Sequence, residues 1–77
     1  MTSVPEGPTD LQRVGAVVRE RREAAGKTST ELAEEIGISR RHLWNIESGT
    51  GSASRPVYKL LAAALGLKLE DLTGETR

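Results

Sequence analysis

The segment from Thr28 to Gly49, TSTELAEEIGISRRHLWNIESG, leaves little freedom in how it can fold. Thr28 stands where a helix cap belongs, and Glu31 follows at the spacing of a reciprocal capping box. Leu32, Ala33 and Ile36 then fall on one face of a short helix. Gly37 ends that helix, because a residue without Cβ enters the left-handed conformation that a sharp exit needs. Ile38 plugs the corner, Ser39 caps a second helix, and Leu43 and Ile46 point inward from it. The pattern predicts two short helices joined by a tight turn.

The rest of the chain supplies helices to pack against this pair. Met1 to Pro8 contains Pro5, Gly7 and Pro8 and has little to bury, so residues 1–8 are expected to be a flexible arm. Thr9 and Gln12 make a further capping box, opening a helix to about Ala25 that Gly26 closes. Its inner stripe is Leu11, Val14, Val18 and Ala25, with Val17 at the border. Arg22 lies on the same stripe, where an unpaired charge is costly, and Glu47 is the candidate partner. After the small residues TGSAS, Ser54 is expected to cap a helix with Pro56 in its first turn. Tyr58, Leu61, Ala62 and Leu65 form its inner face, and Gly66 ends it. Leu67, Leu69 and Leu72 belong to a short last helix over the core, and residues 74–77 are expected to fray. No stretch alternates like a strand. The expected fold is all-α, a compact five-helix bundle over residues 9–73.

Composition narrows the function classes. With 77 residues and no cysteine, the chain makes one small domain without disulfides or thiolate metal sites. One histidine excludes an ordinary structural zinc site, and no cofactor is implied. No apolar run approaches the roughly 20 residues of a membrane span, so a soluble intracellular protein without a membrane partner is expected. No paired carboxylates or Ser–His–Asp set suggests a reaction, so no enzyme is expected.

What remains is the outward face of the helix after Ser39. It carries Arg40, Arg41, His42, Trp44 and Asn45, groups suited to base edges in a DNA major groove. Formal net charge is zero, without the basic surplus usual for a nucleic-acid binder. The charge is unevenly spread. Residues 11–27 carry Arg13, Arg19, Arg21, Arg22 and Lys27 against Glu20 and Glu23, whereas residues 28–37 carry Glu31, Glu34 and Glu35 unopposed. Arg40, Arg41 and Arg55 face Glu47 alone in residues 38–55. Positive charge therefore lies beside the proposed reading helix, and binding should be salt-sensitive.

The run RRxxxGxTSTELAxxIGISxxxLxxIESG, followed by ALGLxLEDL, resembles the Xre/Cro group of helix-turn-helix proteins, the lambda-repressor-like fold. The resemblance covers Val14 to Leu72 without insertion and includes a small Ala33 where the two helices cross. It implies a cytoplasmic, nucleoid-associated regulator of bacterial or phage origin that binds double-stranded DNA. By resemblance, Arg40, Arg41 and Asn45 read bases, arginine matching guanine and asparagine adenine. Trp44, one turn beyond Arg40, faces the groove and touches a thymine methyl. Thr28, Ser29, Ser39, Ser48, Thr50 and Arg55 fall to the DNA backbone, and Arg22 and Glu47 match a buried ion pair recurrent in the group. The chain departs from the group's pattern in four places. Ser29 is shorter than the usual glutamine, TGSAS lacks a basic residue, Arg55 replaces an apolar one, and Trp44 is unusually large.

Two function classes follow. One is a transcriptional regulator, repressing as a homodimer on a near-palindromic operator and dimerising through whichever of Leu67, Leu69 and Leu72 the core leaves exposed. The other is a protein-interaction module, such as an antitoxin, whose partner covers Trp44. A cation–π contact of Trp44 with Arg40 or Arg41 is the structural alternative for that side chain.

Overall fold

The computed structural model describes residues 10–73. Its helices are α1 (Asp10–Ala24), α2 (Ser29–Ile36), α3 (Arg40–Ser48), α4 (Arg55–Leu65) and α5 (Leu69–Thr73). No strand occurs among the described residues, and the fold is the expected all-α, five-helix one. The expected arm over residues 1–8, the Thr9 cap and the end over residues 74–77 lie outside the described residues.

Local chemistry sets the helix ends. Thr28 Oγ1 accepts from the Glu31 N–H at 3.1 Å, and Glu31 Oε1 accepts from the Thr28 N–H at 2.8 Å. Two backbone donors that α2 itself could not satisfy are thereby paired. At the other end Gly37 has φ 79°, and its N–H reaches the Ala33 and Glu34 carbonyls. The Ile38 N–H then bonds Ala33 O at 3.0 Å, completing the turn into α3. Ser39 Oγ accepts from the His42 N–H at 3.0 Å and starts α3.

Two expected details differ. Ala25 is exposed, because α1 ends at Ala24 and the chain turns away from the core there. Ser54 holds the cap position of α4, and its carbonyl accepts from the Tyr58 N–H at 3.0 Å, but its hydroxyl makes no capping bond. Pro56, at the second helical position, has no N–H to offer that hydroxyl.

The core contains Val18 of α1, Leu32, Ala33 and Ile36 of α2, and Leu43 and Ile46 of α3. Tyr58, Leu61, Ala62 and Leu65 of α4 and Leu72 of α5 complete it, with Val14, Val17 and Ile38 packed at its edge. α3 buries only Leu43 and Ile46 in this core, worth roughly 1.5–3 kcal/mol each. Nine residues are too few for a helix that stands alone in water. Further contacts must hold it, and α1 provides them. Gly15 of α1 is buried against the carbonyl oxygens of Ile46 and Glu47, where a Cβ would overlap both. At Gly49 two demands coincide: φ is +79°, and a Cβ would stand 2.8 Å from Gln12 Cα. Backbone thus packs directly on backbone along α1 and the end of α3.

Elsewhere, polar contacts tie the connections to the helices. The Tyr58 hydroxyl accepts from the Ala53 N–H at 3.3 Å, pinning the segment between α3 and α4. Lys27 Nζ donates to Glu35 Oε1 at 2.7 Å and to Ala64 O at 3.3 Å. An ammonium at the carboxyl end of α4 also complements the helix dipole.

Candidate nucleic-acid interface

The exposed side of α3 follows from what its inner side must do. Leu43 and Ile46 fix which way the helix faces, so Arg40, Arg41 and Trp44 are left in solvent. Trp44 is 61% exposed, the largest apolar side chain on the described surface. Ser29, Arg40, Arg41 and Trp44 line one shallow depression where the amino-terminal end of α2 meets α3. A second depression is shared by Ser29, Trp44 and Ser48 with Arg19, Arg22 and Glu47. Trp44 therefore stands between the two, and Ser29 belongs to both.

Behind this face, Arg22 and Glu47 make a two-point ion pair. Arg22 Nε donates to Glu47 Oε2 at 2.8 Å and Nη2 to Oε1 at 3.1 Å, with the side chains 11% and 10% exposed. Arg22 Nη1 donates to Lys27 O at 2.9 Å. One guanidinium thus joins α1, the turn after it and α3. The hydrogen bonds that Arg22 donates to Glu47 raise the Arg22 pKa above the ordinary arginine value, outweighing the opposite effect of burial.

The remaining candidates divide by what already engages them. Thr28 Oγ1 and Ser39 Oγ accept the capping bonds of α2 and α3. Arg55 is exposed at the first residue of α4. Asn45, Ser48 and Thr50 form a cluster at the carboxyl end of α3. Thr50 Oγ1 lies 3.3 Å from Asn45 Oδ1 and 3.0 Å from Ser48 Oγ. Asn45 is half-buried by this loop, in contrast to Arg40 and Arg41.

Sequence reading overlooked three residues here. Thr30 Oγ1 lies 3.5 Å from Arg40 Nη1, at the outer limit of a hydrogen bond. Arg19, paired with Glu23 at 3.2 Å, borders Trp44 across the second depression. Gly15 sets how closely α1 approaches α3. A glycine inside an amphipathic helix was the available signal for Gly15, since it lowers helix stability unless packing requires it.

Two helices joined at a left-handed glycine, the second braced from behind and polar in front, define a helix-turn-helix. Residues 13–74 match the family described as "Helix-turn-helix domain". The chain belongs to the helix-turn-helix family of DNA-binding transcriptional regulators. An uncharacterized HTH-type transcriptional regulator of Methanothermobacter thermautotrophicus is 37% identical over 57 residues, covering 73% of this chain and 83% of that protein. The fold is similar to the crystal structure of the restriction-modification controller protein C.AhdI from Aeromonas hydrophila. The TM-score is 0.76 at 32% identity, over 82% of this chain and 96% of that one. It is also similar to the clp gene regulator ClgR from Corynebacterium glutamicum, with TM-score 0.80 at 32% identity, over 90% of this chain and 72% of that one. The family is one of regulators and not of enzymes. No helix among the described residues is long and apolar enough to cross a membrane.

Proposed function

We propose that this helix-turn-helix protein is a sequence-specific repressor that binds a near-palindromic operator as a homodimer and lays α3 in the major groove. The observation that carries this reading is the composition of α3: Arg40, Arg41 and Trp44 in solvent on a helix anchored behind by Gly15 and Arg22. Arg40, Arg41, Trp44 and Asn45 contact bases in this reading. Ser29, at the start of α2, offers its hydroxyl and neighbouring backbone amides to a phosphate. Thr28, Ser39, Ser48, Thr50 and Arg55 flank the groove as further backbone contacts. Repression follows by occlusion when the dimer covers a promoter.

The dimer enters this reading on energetic grounds. With no basic surplus beyond the few arginines beside α3, one copy alone would neutralise few phosphates and bind weakly. Two linked half-site contacts compensate through effective concentration. The apolar side chains available to the dimer are on α4 and the segment after it. Leu60 is 47% exposed, and Leu67 and Leu69 are half-buried. Leu72 is buried at 1% exposure and belongs to the core, so it leaves the list of dimer candidates.

The exposure of Trp44 favours a second reading, in which the same face binds a protein as an antitoxin does. Gel shifts against a pool of random duplexes at low and moderate salt separate the two. The regulator reading expects an enriched sequence whose binding falls with salt and with Arg40→Ala. No enrichment, with no effect of Arg40→Ala, defeats it.

A further inference from the structure

Arg19 of α1 stands between two depressions of different character. On one side it borders the depression shared with Ser29, Trp44 and Ser48 and with the Arg22–Glu47 pair. On the other it borders a third depression, where Glu20 and Glu23 are exposed acids. Arg19 Nε donates to Glu23 Oε2 at 3.2 Å, and the two side chains are 65% and 57% exposed. An ion pair so open to water contributes little, since water solvates each charge nearly as well. The contact is made through Nε. The terminal Nη1–Nη2 pair, whose spacing matches two oxygens of a phosphate, is not part of it.

Arg22 lies in the same depression beside α3 but has nothing left to give. It is 11% exposed, and its Nε, Nη1 and Nη2 already donate to Glu47 and to Lys27 O. Arg19 is therefore the cation that this depression can offer an anion. A phosphate lying between Ser29 and Ser48, at the edge of the groove, is such an anion. We infer, on the proposed reading that α3 enters the major groove, that Arg19 turns from Glu23 to a backbone phosphate beside Ser29 and Ser48, and that Glu23 competes with the phosphate for it. One ion pair is exchanged for another, so Glu23 lowers affinity for every sequence alike and leaves base preference unchanged.

The test is titration of the selected operator and of a single-base variant at several salt concentrations. The chains compared are wild type, Arg19→Ala, Glu23→Gln, the two changes together, and Arg21→Ala. Arg21, two residues along α1, does not share the face of Arg19 and controls for net charge. All three side chains are exposed, so the variants should fold, which circular dichroism checks. Arg19→Ala should weaken both duplexes alike, about threefold or more, and make the salt slope shallower by about 1. Arg21→Ala should leave the slope unchanged. Glu23→Gln should tighten both duplexes by about threefold, and should add little once Arg19 is alanine. An unchanged slope for Arg19→Ala, or an equal change for Arg21→Ala, overturns the Arg19 contact and leaves the proposed function standing. A loss confined to the selected operator also overturns it, because that would place Arg19 on a base. An equal gain from Glu23→Gln with and without Arg19 overturns the competition. A wild-type chain that enriches no sequence from a random duplex pool overturns the proposed function, and the Arg19 contact with it.

Discussion

Arg22 and Glu47 meet through two hydrogen bonds, 2.8 and 3.1 Å long, and so bind the end of α1 to the end of α3. Both side chains are about nine-tenths shielded from water, so each depends on the other for its solvation. Removing the charge from one leaves the other unpaired inside. Glu47→Gln should therefore destabilise the fold by roughly 3 kcal/mol in chemical denaturation. Replacing both residues with apolar ones should cost less than that single change. The raised pKa of Arg22 gives a sign for alkali: its contribution is complete below the ordinary arginine value and is lost only as pH rises through the still higher folded value. Titrating Arg22 therefore contributes no change in stability between pH 7 and pH 10.

Gly15 gives a second test. Alanine is the better helix former, by about 1 kcal/mol, so an exposed glycine here would gain from replacement. The carbonyl oxygens of Ile46 and Glu47 leave no room for the methyl group. Backbone cannot yield as the tip of a side chain can, and Gly15→Ala should lower stability by about 1–3 kcal/mol. Thermal unfolding followed by circular dichroism measures it. A raised melting temperature would mean that α1 and α3 are further apart than they stand here.

For DNA binding, Arg40 and Arg55 should behave differently. Arg40 lies at the start of α3, and Arg40→Ala should cost about 1–3 kcal/mol at one operator position and relax specificity there. Arg55 opens α4, and Arg55→Ala should weaken all sequences alike while lowering the salt slope by about 1. Titrations of the selected site and of a single-base variant, at several salt concentrations, distinguish the two patterns. Equal losses on both sequences for Arg40→Ala would assign Arg40 to the backbone.

Leu60 is the exposed apolar anchor for the proposed dimer. Leu60→Glu should shift sedimentation from dimer to monomer and weaken operator binding without disturbing the fold, since the residue lies outside the core. A wild-type chain that remains strictly monomeric, both free and on DNA, would remove the dimer from the proposal.

Most of α2 and α3 is legible in the sequence, because their determinants are local. The capping pair Thr28 and Glu31 lies within one turn, as does the bond between Ser39 and His42. Gly37 acts on the turn it occupies, and the spacing of Leu32, Ala33, Ile36, Leu43 and Ile46 fixes which faces are buried. The candidate reading face is the complement of that stripe, so Arg40, Arg41 and Trp44 could be named from spacing. Ala25 was misplaced because a periodic stripe carries no information about where the chain turns away from the core.

The sequence by itself determined the helices, the turn between α2 and α3, and the polarity of α3, since short-range sterics and periodicity decide each of them. The sequence also pointed to the Arg22–Glu47 pair, but only the tertiary structure decided how closely the helices approach one another. Gly15 meets carbonyl groups 31 and 32 residues away in the chain, and Lys27 reaches Ala64 O, 37 residues away. The division between Arg40, open to solvent, and Asn45, held by Thr50, also depends on the path of the loop after Gly49. Contacts of this kind depend on distance in space and not on spacing along the chain, and no local pattern records them.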